Sequence, residues 1–367
     1  MLHDQSHGRI RRMLMLLLVA VLVLSACSSG GNSGGSKQEE GGTSQQSSST
    51  ASNNASGSGS TSESKKRIAF IPQLIGIPYF TAMEEGGKKA AQDLNVEFLY
   101  TGSTTASAQE QLKIMDSLIR QKVDAISISV LDSSSINPAI NRAKEAGISV
   151  YTSDSDSPDS EREVYVAQAL DQDLGYTLID RLAEQIGGEG KIGIVSGEST
   201  ATNLNTWINY MKERIDTTYP NIEIVDIRYT SGGSSEQALT AAQELMTRFP
   251  DLKGLIAVAS STVPGVAQAV QQAGKAGEIA VIGYGSPATV KPFIDSGVMK
   301  ESVLWNAVDL GYLTVWAGLQ LAEGKPFQEV NEVPGIAEPV KYFEDTKTLL
   351  LGPPLIINKD NVDDFNF

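Results

Sequence analysis

From Arg67 onward, short apolar runs alternate with stretches in which apolar residues recur at helical spacing. Ile68–Ile71, Val96–Tyr100, Ala125–Val130 and Ser149–Thr152 are predicted as strands, with Tyr79–Leu94, Ser107–Gln121 and Ile136–Ala146 as the helices between them. Helix 107–121 sets Leu112, Met115, Leu118 and Ile119 on one face. The run DAISISV is apolar or small throughout, as a parallel strand covered on both faces requires. Such alternation predicts right-handed βαβ units in an open, doubly wound α/β sheet.

The pattern then recurs. Lys191–Val195 repeats the first strand, VDAISISV at 123 is echoed by LKGLIAVA at 252, and AGISVYTSDS at 146 by AGEIAVIGYGS at 276. A near-constant offset predicts a duplicated half, hence two similar lobes that meet near Val166–Asp171. Open α/β sheets bind ligands beyond the carboxyl ends of their strands, so both sheets point at a common cleft. Its lining is expected from the residues immediately after each strand: Pro72-Gln73, Thr101-Gly102, Ser129-Val130, Ser153-Asp154, Ser196-Gly197, Ala259-Ser260, Gly283-Tyr284-Gly285 and Trp305-Asn306.

The first residues change the picture. Arg9, Arg11 and Arg12 precede an apolar run, Met13–Leu24, too short to span a membrane as a helix. Leu24-Ser25-Ala26-Cys27 has the form of a lipoprotein cleavage site, which makes 1–26 a signal peptide and Cys27 a lipidated N-terminus. Two acyl chains there would hold the chain at the outer face of a cell membrane. Residues 28–64 are almost wholly Gly, Ser and other polar types, and read as a disordered tether reaching roughly 30–35 Å.

Charge and composition exclude more than they select. Losing residues 1–26, with three arginines and one aspartate, takes the formal charge from −15 to −17, which suits neither nucleic acid nor anionic lipid. His3 and His7 are the only histidines and Cys27 the only cysteine. The mature chain therefore has no imidazole and no free thiol for Ser-His-Asp or Cys-His catalysis, and no His/Cys set for a metal. No catalytic residue, metal or cofactor is expected, and neither is a P-loop: G-x-x-x-x-G-K-[ST] does not occur.

The remaining side chains are suited to binding. Tyr79 and Phe80 open a helix just past a strand end, where an aromatic face either packs in the core or meets a sugar ring; Trp305, after the last strand of the second half, has the same two readings. Asp154 comes just after strand 149–152 and can accept two charge-assisted hydrogen bonds from adjacent hydroxyls. As an acid/base pair with Asp156 it would need carboxyls on opposite sides of a bond, which i,i+2 loop positions rarely supply; Asp156, Asp159, Glu161 and Glu163 also read as a solvated acidic loop. Asn203 and Asn205 open a helix after Ser196-Gly197, as caps or as amides for hydroxyls, and Gln73 is a further strand-end amide.

Together, "RIAFIPQ…PYF", "VDAISIS", "AGISVYTSDS", "GYGSP" and "NAVDLGY" resemble, over about 300 residues from Lys65, the type I (ribose-binding-like) solute-binding proteins of ABC sugar importers. The rhamnose-binding branch is similar through "TNLNTWI" and "YTGSTTASAQEQ". Receptors for the furanosyl signal autoinducer-2 are similar through "IAFIP", "DSD" and "INKDNVDDFNF", although of their ligand pattern only Asp154 is kept. The resemblance implies two lobes joined by three crossovers, one of residues 65–168 and about 306–335, the other of 169–305 and about 340–367. It implies a small neutral sugar as ligand, an ABC permease as partner, a monomer, and Tyr79 and Phe80 stacked on the sugar ring. The expected ligand set is then Gln73, Tyr79, Phe80, Ser129, Asp154, Asn203, Asn205, Ser260, Gly285 and Trp305. A sensor handing its liganded form to a membrane kinase or chemoreceptor has the same sequence features.

Overall fold

The computed structural model describes residues 64–365 and 367. The signal peptide, Cys27 and the Gly/Ser tether up to residue 63 lie outside the described residues.

The first half runs β1 (Arg67–Ile71), α1 (Pro78–Asp93), β2 (Glu97–Tyr100), α2 (Ala108–Gln121), β3 (Ala125–Ile128), α3 (Ser133–Glu145), β4 (Ser149–Ser153) and β5 (Tyr165–Ala167). The second runs α4 (Asp171–Ile186), β6 (Gly190–Ser196), α5 (Thr202–Thr218), β7 (Ile222–Tyr229), α6 (Ser235–Arg248), β8 (Leu252–Ala257), α7 (Val263–Gln272), β9 (Ala280–Gly283), α8 (Pro287–Asp295) and β10 (Glu301–Leu304). After these come α9 (Ala307–Ala322), β11 (Val330–Asn331), β12 (Val340–Phe343), β13 (Thr348–Leu350) and β14 (Leu355–Asn358).

The duplication is visible in the strand order. The first sheet contains β2-β1-β3-β4 and the second is β7-β6-β8-β9, the same order with every one of these pairs parallel. In both, order reverses beside the first strand, so the switch point lies between the carboxyl ends of β1 and β3, or of β6 and β8. β3 is buried along its whole length and β1 and β4 along all but the first residue, which is why they read as unbroken apolar runs. Two hydroxyls within them are paired to each other, Ser127 Oγ lying 2.8 Å from Ser153 Oγ.

The predicted helices start within a residue or two of their observed positions, except α3. It begins at Ser133 because the Asp132 side chain accepts from the Ser135 N–H, a cap that the apolar pattern alone does not register. Asn306 caps α9 by accepting from the Val308 and Asp309 N–H groups. α9 is buried along most of its length and packs against α1 almost backbone to backbone. A Cβ at Gly86 would run into the Val308 carbonyl oxygen, and one at Gly311 into that of Met83. Gly86→Ala is therefore expected to lower stability by about 1–3 kcal/mol, the usual cost of overpacking, read as a lower denaturation midpoint at unchanged m-value.

The chain crosses between the two halves three times, from β5 to α4, from β10 to α9 and from β13 to β14; β10 and β14 pair antiparallel as a two-stranded sheet of their own. One expected boundary is corrected. Residues 340–350 belong to the first sheet, because β13 adds to the edge of β5 in parallel and β12 pairs on β13. The reason lies in loop 156–162. Arg162, 6% exposed, forks Nε and Nη2 onto the two oxygens of Asp156 at 2.6 and 2.7 Å and donates to the carbonyls of Thr346 and Lys347. Asp156 is thus the anchor of a part-buried ion pair rather than part of a solvated acidic loop.

Candidate ligand-binding cleft

Beyond the carboxyl ends of both sheets lies a cavity of about 60 Å³ whose wall includes Gln73, Tyr79, Phe80 and Asp154 from the first lobe. Asn203, Trp207, Ser260 and Tyr284 come from the second, and Trp305 from the crossover between β10 and α9. Each is delivered by a strand end or the first turn of a helix. Pro78 at the start of α1 brings Tyr79 and Phe80 to the opening of β1, and Asn203 and Trp207 lie four apart on one face of α5.

Asp154 is the electrostatic centre. Its backbone has φ of +69°, a left-handed conformation that an aspartate tolerates better than most residues and that turns the side chain off the end of β4. It is 3% exposed. Tyr79 donates its hydroxyl to Oδ1 at 2.5 Å and Ser129 donates to Oδ2 at 2.5 Å. Among the described residues no Lys or Arg pairs with it, so burial pushes its carboxyl up to about 6, against the opposing pull of the Ser129 and Tyr79 hydrogen bonds. The same burial, and the neighbouring Asp154 charge, hold the Tyr79 phenol well above its ordinary range and therefore protonated.

Tyr79 does more than present a ring. Its oxygen also accepts from the Trp305 indole N–H at 2.9 Å, so a chain of bonds runs from Trp305 through Tyr79 to Asp154. The rings form one aromatic wall: Tyr79 stands edge-on to Phe80 (4.9 Å, 68°) and Trp305 (5.6 Å, 88°), and Trp207 edge-on to Tyr284 (4.8 Å, 65°). Trp207 in turn donates its indole N–H to Asp171 at the start of α4. Beneath the wall, buried Gln111 ties the ends of β1 and β3 together, donating to the carbonyls of Pro72 and Ser129 and accepting from the Leu131 N–H.

The two lobes touch across this cavity. Gln73 donates to Asn203 Oδ1 at 3.3 Å as well as to the Val130 carbonyl. Ligand pockets usually hold about 300–1,000 Å³, so the arrangement described is a closed one that must part to admit a sugar ring. A larger crevice of about 750 Å³ flanks it, with Arg162, Asp171 and Tyr210 in its wall. Its buried cation is already committed to Asp156.

Of the ten residues expected at the ligand, three lie outside the wall of this cavity. Asn205 donates to the Ser199 carbonyl and lies outside the cavity wall; two residues along a helix turn its side chain about 200° from Asn203. Gly285 donates its N–H to Ser302 Oγ and is pressed against Val290, so its role is a tight corner after β9. Ser129 supports Asp154 from behind instead of facing the cavity. Conversely, Trp207 and Tyr284 belong to the wall. Tyr284 was legible as a strand-end position, and Trp207 stood in the TNLNTWI motif of the resemblance, four residues after Asn203, without being expected at the ligand.

Asp156 also bears on catalysis. One of its oxygens accepts from Arg162 and from the Thr152 hydroxyl, the other from Arg162, which leaves no free carboxyl to act with Asp154 across a glycosidic bond. Among the described residues no group of three or more His, Cys, Asp and Glu side chains is placed to hold a metal ion.

Residues 68–326 match the family described as periplasmic binding protein domain. The chain belongs to the type I sugar-binding proteins of ABC importers. A solved structure of LsrB from Clostridium saccharobutylicum in complex with AI-2 is 26% identical, covers 82% of this chain and 100% of its own, and superposes with a TM-score of 0.77. A solute-binding protein from Clostridium phytofermentans with bound L-rhamnose is 25% identical, covers 82% of this chain and 98% of its own, and also reaches 0.77. A D-ribose/D-allose-binding protein of Pseudomonas aeruginosa is 26% identical over 285 residues, covering 75% of this chain and 87% of its own. These relatives of the type I sugar-binding family are binding proteins rather than enzymes.

Proposed function

We propose that the chain captures a small neutral sugar, rhamnose-like or another monosaccharide, in this cleft and delivers it to an ABC permease. In this reading Cys27 carries the lipid that holds the protein, a monomer, on the outer face of the cell membrane. The observation that carries the reading is Asp154: a buried carboxylate with no cation partner among the described residues, set in a wall of aromatic rings between two lobes. Tyr79 and Ser129 use one lone pair on each oxygen, leaving others to accept from adjacent sugar hydroxyls. Gln73, Asn203 and Ser260 supply further polar contacts, and Tyr79, Phe80 and Trp305 the faces against the ring. Closure around the sugar would exclude water and strengthen these bonds.

The second reading is reception of autoinducer-2, signalling to a membrane kinase or chemoreceptor. It is favoured by the AI-2 complex, whose likeness equals that of the L-rhamnose complex. Isothermal titration with L-rhamnose, D-ribose, D-xylose, D-galactose and autoinducer-2 tests both readings. Saturable one-to-one heat with a sugar supports the first and heat with autoinducer-2 alone the second, while silence from folded protein with all five sinks both.

Among the described residues no helix is long and apolar enough to cross a membrane. Cys27→Ser is expected to move the protein from the membrane fraction to the soluble fraction and to abolish labelling by a fatty-acid analogue. Retention at the membrane without label would overturn the anchor.

A further inference from the structure

Among the described residues, four buried side-chain atoms have no hydrogen-bond partner: Gln168 Nε2, Ser196 Oγ, Tyr284 Oη and Ser286 Oγ. Only one of these belongs to a residue in the cavity wall, the Tyr284 hydroxyl. Tyr284 is 1% exposed, and its ring is wedged against Trp207 and Trp305, at 4.8 and 6.0 Å between centroids, which leaves the phenol little freedom to swing out to water. A buried hydroxyl without a partner is costly, and phenylalanine would fill the same place without that cost. Burial, together with the nearby Asp171 charge, holds the phenol protonated, so it can donate as well as accept.

We infer that Tyr284 Oη is a ligand-recognition group: it hydrogen-bonds a hydroxyl of the bound cyclic polyol on the second-lobe side, away from the hydroxyls held by Asp154. The inference rests on the sugar-capture reading and deepens it. The ligand presents polar groups to both lobes at once, Asp154 and Gln73 holding one edge and Tyr284 another. The second contact forms only when the lobes close, so it rewards the closed liganded state and discriminates between sugars that differ at one carbon. A site built to hydrogen-bond a substrate hydroxyl rejects the analogue that lacks it far more strongly than an apolar wall rejects an added one.

Tyr284→Phe tests this with little risk to folding. The unliganded variant is expected to melt at the same temperature as the parent protein or higher. Its dissociation constant for the sugar found by titration is expected to rise about tenfold or more, the range for a lost hydrogen bond in a closed site. Titration of that sugar's monodeoxy analogues then locates the partner: one analogue binds the parent protein more weakly than the sugar does, yet binds Tyr284→Phe as well as the sugar does. Affinity of Tyr284→Phe within twofold of the parent overturns the inference and leaves sugar capture standing. So does an equal penalty for every deoxy analogue in both proteins. If the parent protein binds no sugar, the sugar-capture reading itself falls, and Tyr284 with it.

Discussion

Asp154→Asn is expected to cost at least a hundredfold in sugar affinity while making the unliganded protein more stable. The two effects have one cause. A carboxylate at this depth without a cation is expensive, and in the proposed reading its charge is what the ligand hydroxyls bond to. An amide deletes the charge and converts one acceptor into a donor. Ser129 can turn to accept from it, whereas Tyr79 must share the single remaining oxygen. A stability gain of about 1–2 kcal/mol is expected, because the buried charge is gone while the hydrogen bonds to the amide are weaker.

The pH dependence has a definite sign. The Asp154 carboxyl is raised in the folded protein to about 6 from an ordinary 3.8, so between these values the folded state binds more protons than the unfolded. Its contribution to stability is full below pH about 4 and is lost as the pH rises through 6. Ligand hydroxyls bond to the ionised form, so affinity moves the other way and weakens as the pH falls below about 6. Thermal melts and titrations of parent and Asp154→Asn between pH 4.5 and 7.5 check both slopes. The variant should lack the Asp154 part of each, and an unchanged pH profile of affinity would remove Asp154 from the ligand. Tyr79→Phe, which keeps the ring and deletes the bridge between Trp305 and Asp154, is expected to weaken binding by a smaller factor, about tenfold.

Arg162→Ala is expected to destabilise the protein by about 2–4 kcal/mol, because it leaves the half-buried Asp156 without its partner. The loss should be local before it is global. Arg162 also holds the Thr346 and Lys347 carbonyls, so amide hydrogens of residues 340–350 are expected to lose exchange protection while β3 and β4 keep theirs. Replacing Arg162 and Asp156 together by Met and Leu should recover much of the stability, since an apolar pair of similar volume avoids the unpaired charge. If the double variant is no more stable than the single one, the ion pair is not what attaches the hairpin.

The alternation of apolar runs and helical periods determined the α/β class, the two halves and their common cleft. It did so because strand and helix periodicity are written in neighbours two to four positions apart. Gln73, Asp154, Ser260 and Trp305 were legible for a related reason: in a doubly wound sheet the residue after a strand has nowhere to go but the cleft end. Within the cleft, tertiary structure decided the roles. Asn203 and Asn205 are alike in the sequence, and the docking of α5 alone determines which one faces the cavity. Ser129 and Asp154 are 25 residues apart, and adjacent parallel strands convert one expected ligand contact into the support of another. Residues 340–350 carry no local mark of their sheet, since their partner Arg162 stands about 185 positions earlier. Periodicity is a property of short stretches of chain, whereas pairing, helix phase and the fate of each buried hydrogen bond depend on what the fold brings alongside.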